Sequence, residues 1–169
     1  MSYTSPVFTN SDEVYATLIP MADALLEDET DWISATANLS ALIYDLLPDL
    51  NWAGFYRVKN DVLILGPFQG KPACNRIAKG KGVCGTCWLT DAPQVVPNVH
   101  LFPEHIACDS ASNSEIVIPI HNAKGEFCAL LDIDSPVVGR FSDEDLNGLL
   151  PVMESFERWL ADYGLPFLE

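Results

Sequence analysis

The sequence predicts one α+β domain over residues 1–169, a sheet of antiparallel strands with helices contributed by both ends of the chain. Three observations predict it. Apolar residues recur at helical spacing before residue 47 and again after residue 142; two pairs of short β-branched and aromatic runs each flank a turn; and no strand–helix–strand alternation of the kind that builds a parallel sheet is present. A chain of this length buries roughly 70% of the surface its unfolded form exposes, so its stability needs no covalent staple.

Residues 11–28 place Val14, Leu18, Met21 and Leu25 at spacings of four, three and four, an amphipathic helix in which Pro20 is expected to cause a kink or a break. Asp31 is of an N-cap type, and Ala35, Leu39, Leu42 and Leu46 carry a second helix until Pro48 stops it. In NWAGFYRVKNDVLILGPFQG, aromatic and branched residues surround a turn at Lys59, Asn60 and Asp61, which reads as a β-hairpin. Side chains alternate along a strand, so Trp52, Gly54 and Tyr56 share one face; Gly54 leaves an open slot between two aromatics, or else marks a bulge or tight packing. KPACNRIAKGKGVCGTCWLTDAP is glycine-rich at its centre and turns briefly helical around Cys87 and Trp88 until Asp91 and Pro93 end it. Gln94 to Val99 is a short strand, and VHLFPEHIACDSASNS is a connection whose length points to function. SEIVIPIHN and EFCALLDIDS flank Ala123, Lys124 and Gly125 and are expected to pair as an antiparallel hairpin in the centre of the sheet. Ser142 caps the last helix with Asp145 three residues on; Leu146, Leu149, Met153, Phe156 and Leu160 form its stripe, and Pro151 is a second expected kink.

Composition excludes several functions. Twenty-four acidic residues against nine basic ones leave a formal net charge of −15, a field that repels nucleic acid phosphates and anionic membranes. The N-terminus lacks a basic start followed by an apolar run, and no apolar stretch approaches the ~20 residues that cross a bilayer, so a cytoplasmic protein is expected. There thiols are kept reduced, and an odd count of five cysteines argues against a fully paired framework.

Four of those cysteines, Cys74, Cys84, Cys87 and Cys108, fall between Gly66 and Asp109. CGTC has the spacing of half a zinc site that Cys74, Cys108 or His105 would have to complete, but one close pair is a weak zinc signal. Redox catalysis asks less: one nucleophilic thiolate, a second thiol to trap its sulfenic acid and an outside reductant. His105 is placed to stabilise a thiolate at Cys108, and Lys81 to lower the pKa of a nearby thiol. Cys128 reads as a buried structural thiol, and His100 and His121 as solvated or bonded to backbone. GKGKG does not match a phosphate loop, because no Ser or Thr follows its lysine at the required spacing.

Asp132 and Asp134 lie two apart in an otherwise apolar strand and so project from one face. Either their mutual repulsion and burial raise a pKa and leave a general acid, or the strand ends at a hydrated rim. Glu115 starts the partner strand at the same distance from the turn, which brings a third carboxylate to that rim, enough to hold an ammonium group and supply a proton.

NWAGFY at 51–56, LGPFQGKPACNRI at 65–77, GKGVCGT at 80–86, HIACDSASNSEIVIPI at 105–120 and LDIDS at 131–135 resemble, in order and spacing, the blocks of the free methionine-(R)-sulfoxide reductases, a family of single-domain GAF proteins. The resemblance implies a six-stranded antiparallel sheet with the terminal helices on one face and the active site on the other. It implies reduction of the R epimer of free methionine sulfoxide without metal or organic cofactor, with thioredoxin as reductant and a homodimeric assembly. By motif it implies Cys108 as nucleophile, Cys74 and Cys84 as thiols that resolve its sulfenic acid, and Trp52, Tyr56, Glu115, Asp132 and Asp134 as substrate contacts. Cys87 departs from the family pattern and leaves the resolving order open, either as a relay with Cys84 or as a buried thiol. A GAF module that senses a small molecule or redox state without turnover is the alternative.

Overall fold

The computed structural model describes residues 4–8, 10–103 and 110–163. Two helices open the chain, α1 at Ser11–Leu26 and α2 at Trp32–Leu46. Asn10 caps α1 by accepting from the Glu13 N–H, and Asp31 caps α2 by accepting from the N–H groups of Ile33 and Ser34, satisfying donors that a helix start leaves unpaired. Neither helical proline breaks its helix: α1 runs through Pro20, and the final helix α4, Asp143–Tyr163, runs through Pro151. The expected splits are absent because α1 packs on α2 and α4, and α4 on α1 and β5, and packing of one apolar face outweighs a missing backbone bond.

The strands are β1 (Trp52–Lys59), β2 (Val62–Gly70), β3 (Arg76–Ile77), β4 (Gln94–Val96), β5 (Ser114–His121) and β6 (Phe127–Ser135). They form one antiparallel sheet in the order β3-β2-β1-β6-β5-β4. The fold is therefore α+β, as the sequence predicts, and the two hairpins meet through β1 and β6 at the sheet centre. Asn60 and Asp61 both take left-handed φ, 54° and 57°, which gives the β1–β2 turn a twist that matches its strands. The register of β1 against β2 shifts between Gly54 and Tyr56, and Pro67 sits at that irregularity, where a missing N–H costs no ladder bond. The two-residue β3 carries too little pattern to be read from sequence.

Alternation divides the strands into two faces. Ala53, Phe55, Ile116, Ile118, Ile120, Ala129, Leu131 and Ile133 point to one side and form a core with α1, α2 and α4. Trp52, Tyr56, Val117 and Leu130 point to the other, beneath the short helix α3 (Gly82–Thr90). Cys128 belongs to the helical side, where it is buried and its thiol donates to the Ile120 carbonyl at 3.4 Å, as a structural thiol should.

The helical layer is pinned by a buried polar knot. Ser142 and Asp145 make the expected capping box: Asp145 accepts from the Ser142 N–H at 2.8 Å, and Ser142 Oγ accepts from the Glu144 N–H at 3.2 Å. Asp145 also accepts from the Tyr15 hydroxyl at 2.6 Å and from Arg140 at 2.8 Å, which ties α1 to α4. Burial would raise the Asp145 pKa, but the bonds from Tyr15, Arg140 and Ser142 more than offset it and hold the carboxylate below its ordinary range. That stabilisation is present above the unfolded pKa and is lost as pH falls through the folded one.

The Tyr15 ring lies on Gly148, where a Cβ would come within 2.3 Å of it. Gly148→Ala, which on an open helix face would stabilise, is instead expected to destabilise by about 1–3 kcal/mol, because the hydroxyl bond to Asp145 keeps the ring from retreating. Thermal unfolding reads the sign: a lowered Tm is expected, and an unchanged or raised one contradicts the close packing.

Candidate active site

The site lies on the sheet face opposite the long helices, at the end of β5 and β6. Glu115 on β5 pairs with Asp134 on β6, and Val117 pairs with Asp132, so the three acidic side chains project to one face within two strands. Glu115 and Asp132 are buried, with 6% and 7% of their surfaces exposed, and Asp134 is half-buried nearer the rim. The hydrated-rim alternative is thereby excluded for the first two.

Helix α3 brings Cys84 down onto this pair. The Cys84 thiol donates to Glu115 Oε1 at 3.8 Å, a long sulfur hydrogen bond, and is also hydrogen-bonded to Asp132. Asp132 Oδ1 is buried without a hydrogen-bond partner among the described residues. Burial, then the charges of Asp132 and Asp134, push the Glu115 pKa well above the carboxylate range, while a bond from Cys84 works the other way. Burial pushes Asp132 up to about 6, opposed by the bonds it accepts from Cys84 and Glu115. Of the two, Glu115 holds its proton well above the ordinary carboxylate range, and its bond to Asp132 favours the ionised form of Asp132, so the two carboxyls are driven apart by their surroundings.

Holding Asp132 here has a cost in stability. A carboxyl whose folded pKa is raised contributes stability that is intact below the unfolded pKa, about 3.8, and is lost as pH rises through about 6. Asp132→Asn is therefore expected to be more stable than the parent at about pH 8, by ~1–3 kcal/mol or several degrees in Tm, with the gap narrowing near pH 5. A variant that is less stable at both pH values would contradict this.

Burial, followed by the charges of Asp132 and Glu115, also raises the Cys84 pKa well above the usual thiol value. The lowering expected from Lys81 is overturned: Cys84 lies among carboxylates, so it is a protonated thiol. Cys87 is pushed up as well, first by burial and then by Asp91. Cys87 and Cys84 are both free thiols and both buried, and Cys87 lies in the apolar cluster under α3. Its place is that of a core residue.

The aromatic pair serves a purpose that spacing did not reveal. Trp52 stacks on Phe68 with centroids 5.1 Å apart and on Tyr56 at 6.0 Å. A Cβ at Gly54 would lie 2.3 Å from the Phe68 Cβ and 2.7 Å from the edge of the Trp52 ring, so of the two readings the tight packing at a bulge holds and the open slot does not. The polar ends reach the loop after β2: Trp52 Nε1 donates to the Lys71 carbonyl at 3.1 Å, and the Tyr56 hydroxyl donates to the Cys74 carbonyl at 2.9 Å. Burial and then the charge of Asp132 lead the causes that raise the Tyr56 pKa, followed by Cys84, Asp134 and Glu115. The hydroxyl thus bonds the backbone of Cys74, which is half-buried and disulfide-bonded, while feeling the charge of the carboxylates on its sheet face.

Cys108 and His105 lie outside the described residues. The donor cluster suited to a metal among the described residues is Cys84, Glu115 and Asp132, not the CGTC pair. His100 is exposed and bonds Asn113 Oδ1 at 2.7 Å. His121 departs from expectation: its ring bonds Glu157 at 3.0 Å and Asp91 at 2.8 Å, two carboxylates rather than backbone.

A six-stranded antiparallel sheet with the long helices layered on one face and a short helix on the other is the arrangement of a GAF domain, and the GAF domain family model matches residues 22–154. The chain is 51% identical over 152 residues to free methionine-R-sulfoxide reductase of Escherichia coli, covering 90% of this chain and 92% of that enzyme. Among solved structures it resembles fRMsr of Staphylococcus aureus in its reduced form, with a TM-score of 0.84 and 45% identity over 95% of this chain and 100% of that one. It also resembles the free methionine-R-sulfoxide reductase of Neisseria meningitidis in complex with its substrate, with a TM-score of 0.85 and 37% identity over 92% and 95% of the two chains. The chain belongs to the free methionine-(R)-sulfoxide reductase family of GAF-domain proteins.

Proposed function

We propose that the protein, acting as one GAF domain over residues 1–169, reduces the R epimer of free methionine sulfoxide to methionine. The observation that carries the reading is a buried carboxyl pair, Glu115 and Asp132, with Glu115 held well above the ordinary carboxylate pKa range, on the same sheet face as Tyr56, whose hydroxyl bonds the backbone of disulfide-bonded Cys74. In the proposed route the Cys108 thiolate attacks the sulfoxide sulfur and Glu115 donates its proton to the sulfoxide oxygen. Oxygen passes to Cys108 as a sulfenic acid, and methionine leaves. The Cys74 thiol then displaces hydroxide, which leaves as water, and a disulfide results. A dithiol protein of the thioredoxin class returns two electrons and two protons to reset the pair.

Cys74 fits the resolving role better than Cys84. The thiolate is the attacking species, and burial among carboxylates keeps Cys84 protonated. Cys74 lies on a half-buried loop that an outside reductant can reach. Ionised Asp132, with an oxygen lacking a partner among the described residues, and Asp134 at the rim suit the α-ammonium group of a free amino acid. A methionine sulfoxide within a peptide presents an uncharged amide there and is refused.

The deciding experiment supplies thioredoxin, its reductase and NADPH with both sulfoxide epimers, free and peptide-bound. Turnover of the free R epimer alone is expected. Tight binding of that epimer without consumption would replace this reading with a GAF sensor.

A further inference from the structure

We infer that Cys84, Glu115 and Asp132 form a binding site for a soft divalent cation of the zinc type, and that such an ion closes the pocket to substrate. Binding is argued from this protein's geometry alone; the closure rests on the function proposed above.

One donor atom from each residue lies within 4.8 Å of the other two, and all three residues are buried. Cys84 Sγ and Glu115 Oε1 are 3.8 Å apart. A tetrahedral zinc ion with bonds of ~2.3 Å to sulfur and ~2.0–2.2 Å to oxygen spaces such ligands ~3.6 Å apart, so one edge of the coordination shell is already in place. Independently, Asp132 Oδ1 is a buried oxygen with no hydrogen-bond partner among the described residues, so its lone pairs are available to an ion. The ligands come from α3, β5 and β6, and the paired strands fix two of them relative to each other, which limits the rearrangement that binding requires.

The donor set selects among metals. One thiolate with two carboxylates favours zinc and cadmium, whereas calcium and magnesium favour shells of oxygen alone. Three protein ligands leave the fourth position to water, and the protons of the Cys84 thiol and the Glu115 carboxyl both depart to solvent as the ion binds. This is not the CGTC site that spacing offered, because Cys87 is not among the residues whose donor atoms meet there. The ion would occupy the position assigned above to the substrate's ammonium group, and so would act as an inhibitor.

The test uses the disulfide form, in which Cys74 is bonded and Cys84, Cys87 and Cys128 are the free thiols among the described residues. Cadmium, titrated as a spectroscopic stand-in, is expected to bind one ion per chain with an ultraviolet charge-transfer band of single-thiolate intensity. Cys84→Ser should abolish the band, Asp132→Asn should weaken affinity at least tenfold, and Cys87→Ala should change neither. A band that survives in Cys84→Ser, or the lack of any band in the parent, overturns the proposal. X-ray absorption of the parent's zinc complex gives a readout that needs no variant: one sulfur at ~2.3 Å with oxygen in the rest of the shell is expected, and no sulfur or two sulfurs refutes it. Zinc should also raise the apparent KM for the sulfoxide. Single-thiolate binding without that rise overturns the closure to substrate and leaves the metal site standing, whereas inactivity of the metal-free protein bears only on the proposed function.

Discussion

Replacing Cys74 by serine is expected to leave a protein that releases one methionine per chain and then stalls, whereas Cys108→Ser is expected to release none. The two failures differ because the proposed route uses the thiols in sequence. Cys108 makes the bond to substrate sulfur, so without it no oxygen is transferred. Cys74 acts afterwards, so its loss permits one transfer and strands Cys108 as a sulfenic acid, which a dimedone-type trap followed by mass measurement should find on that residue. Steady-state turnover with thioredoxin should fall by about a thousandfold or more, since the other thiols on this face among the described residues, Cys84 and Cys87, are buried and have raised pKa values. Undiminished turnover in Cys74→Ser would transfer the resolving role to Cys84. A full equivalent of methionine from Cys108→Ser would remove the nucleophile from the scheme altogether.

Glu115→Gln is expected to lower kcat by about 10²–10⁴, the usual contribution of a positioned general acid, with a smaller effect on KM. Glutamine keeps the shape and the hydrogen-bonding reach of the side chain but has no acidic proton to give the departing oxygen. The pH dependence makes the role specific. Burial first, and then the charges of Asp132 and Asp134, raise the Glu115 pKa, so the active, protonated form persists well above the ordinary carboxylate range and kcat falls as pH rises through that raised value. The falling limb should vanish in Glu115→Gln. A variant that retains full kcat, or one that loses activity but keeps the limb, would assign the proton to another group. Asp132→Asn, by contrast, should gain stability at about pH 8 while losing affinity for the free amino acid, the expected exchange at a site that holds charges against their solvation.

Cys84 shows where the sequence misled. Its neighbours in sequence are glycines and Lys81, which suggested a lowered thiol pKa. Its neighbours in space are Glu115 and Asp132, thirty and more positions away in the chain, and they raise it. At Gly54 the sequence left two readings, an open slot or a bulge with tight packing, and the structure decides for the second: the register shifts there, and Phe68 and the Trp52 ring fill the gap. His121 reads as an isolated histidine until α3 and α4 bring Asp91 and Glu157 to it.

The sequence by itself determined the order of the long helices and the two hairpins, their turns, the caps at Asp31 and Ser142, and the convergence of Glu115, Asp132 and Asp134. Each of these depends on local periodicity, or on counting residues from a turn, and local interactions are written in consecutive positions. Tertiary structure alone decided that Pro20 and Pro151 stay within their helices, that Cys84 rather than the CGTC pair joins the carboxylates, and that Trp52 and Tyr56 clasp the Cys74 loop. Those outcomes depend on burial and on charges brought together from distant parts of the chain, and a thiol or carboxyl acquires its pKa only from the surroundings that folding gives it.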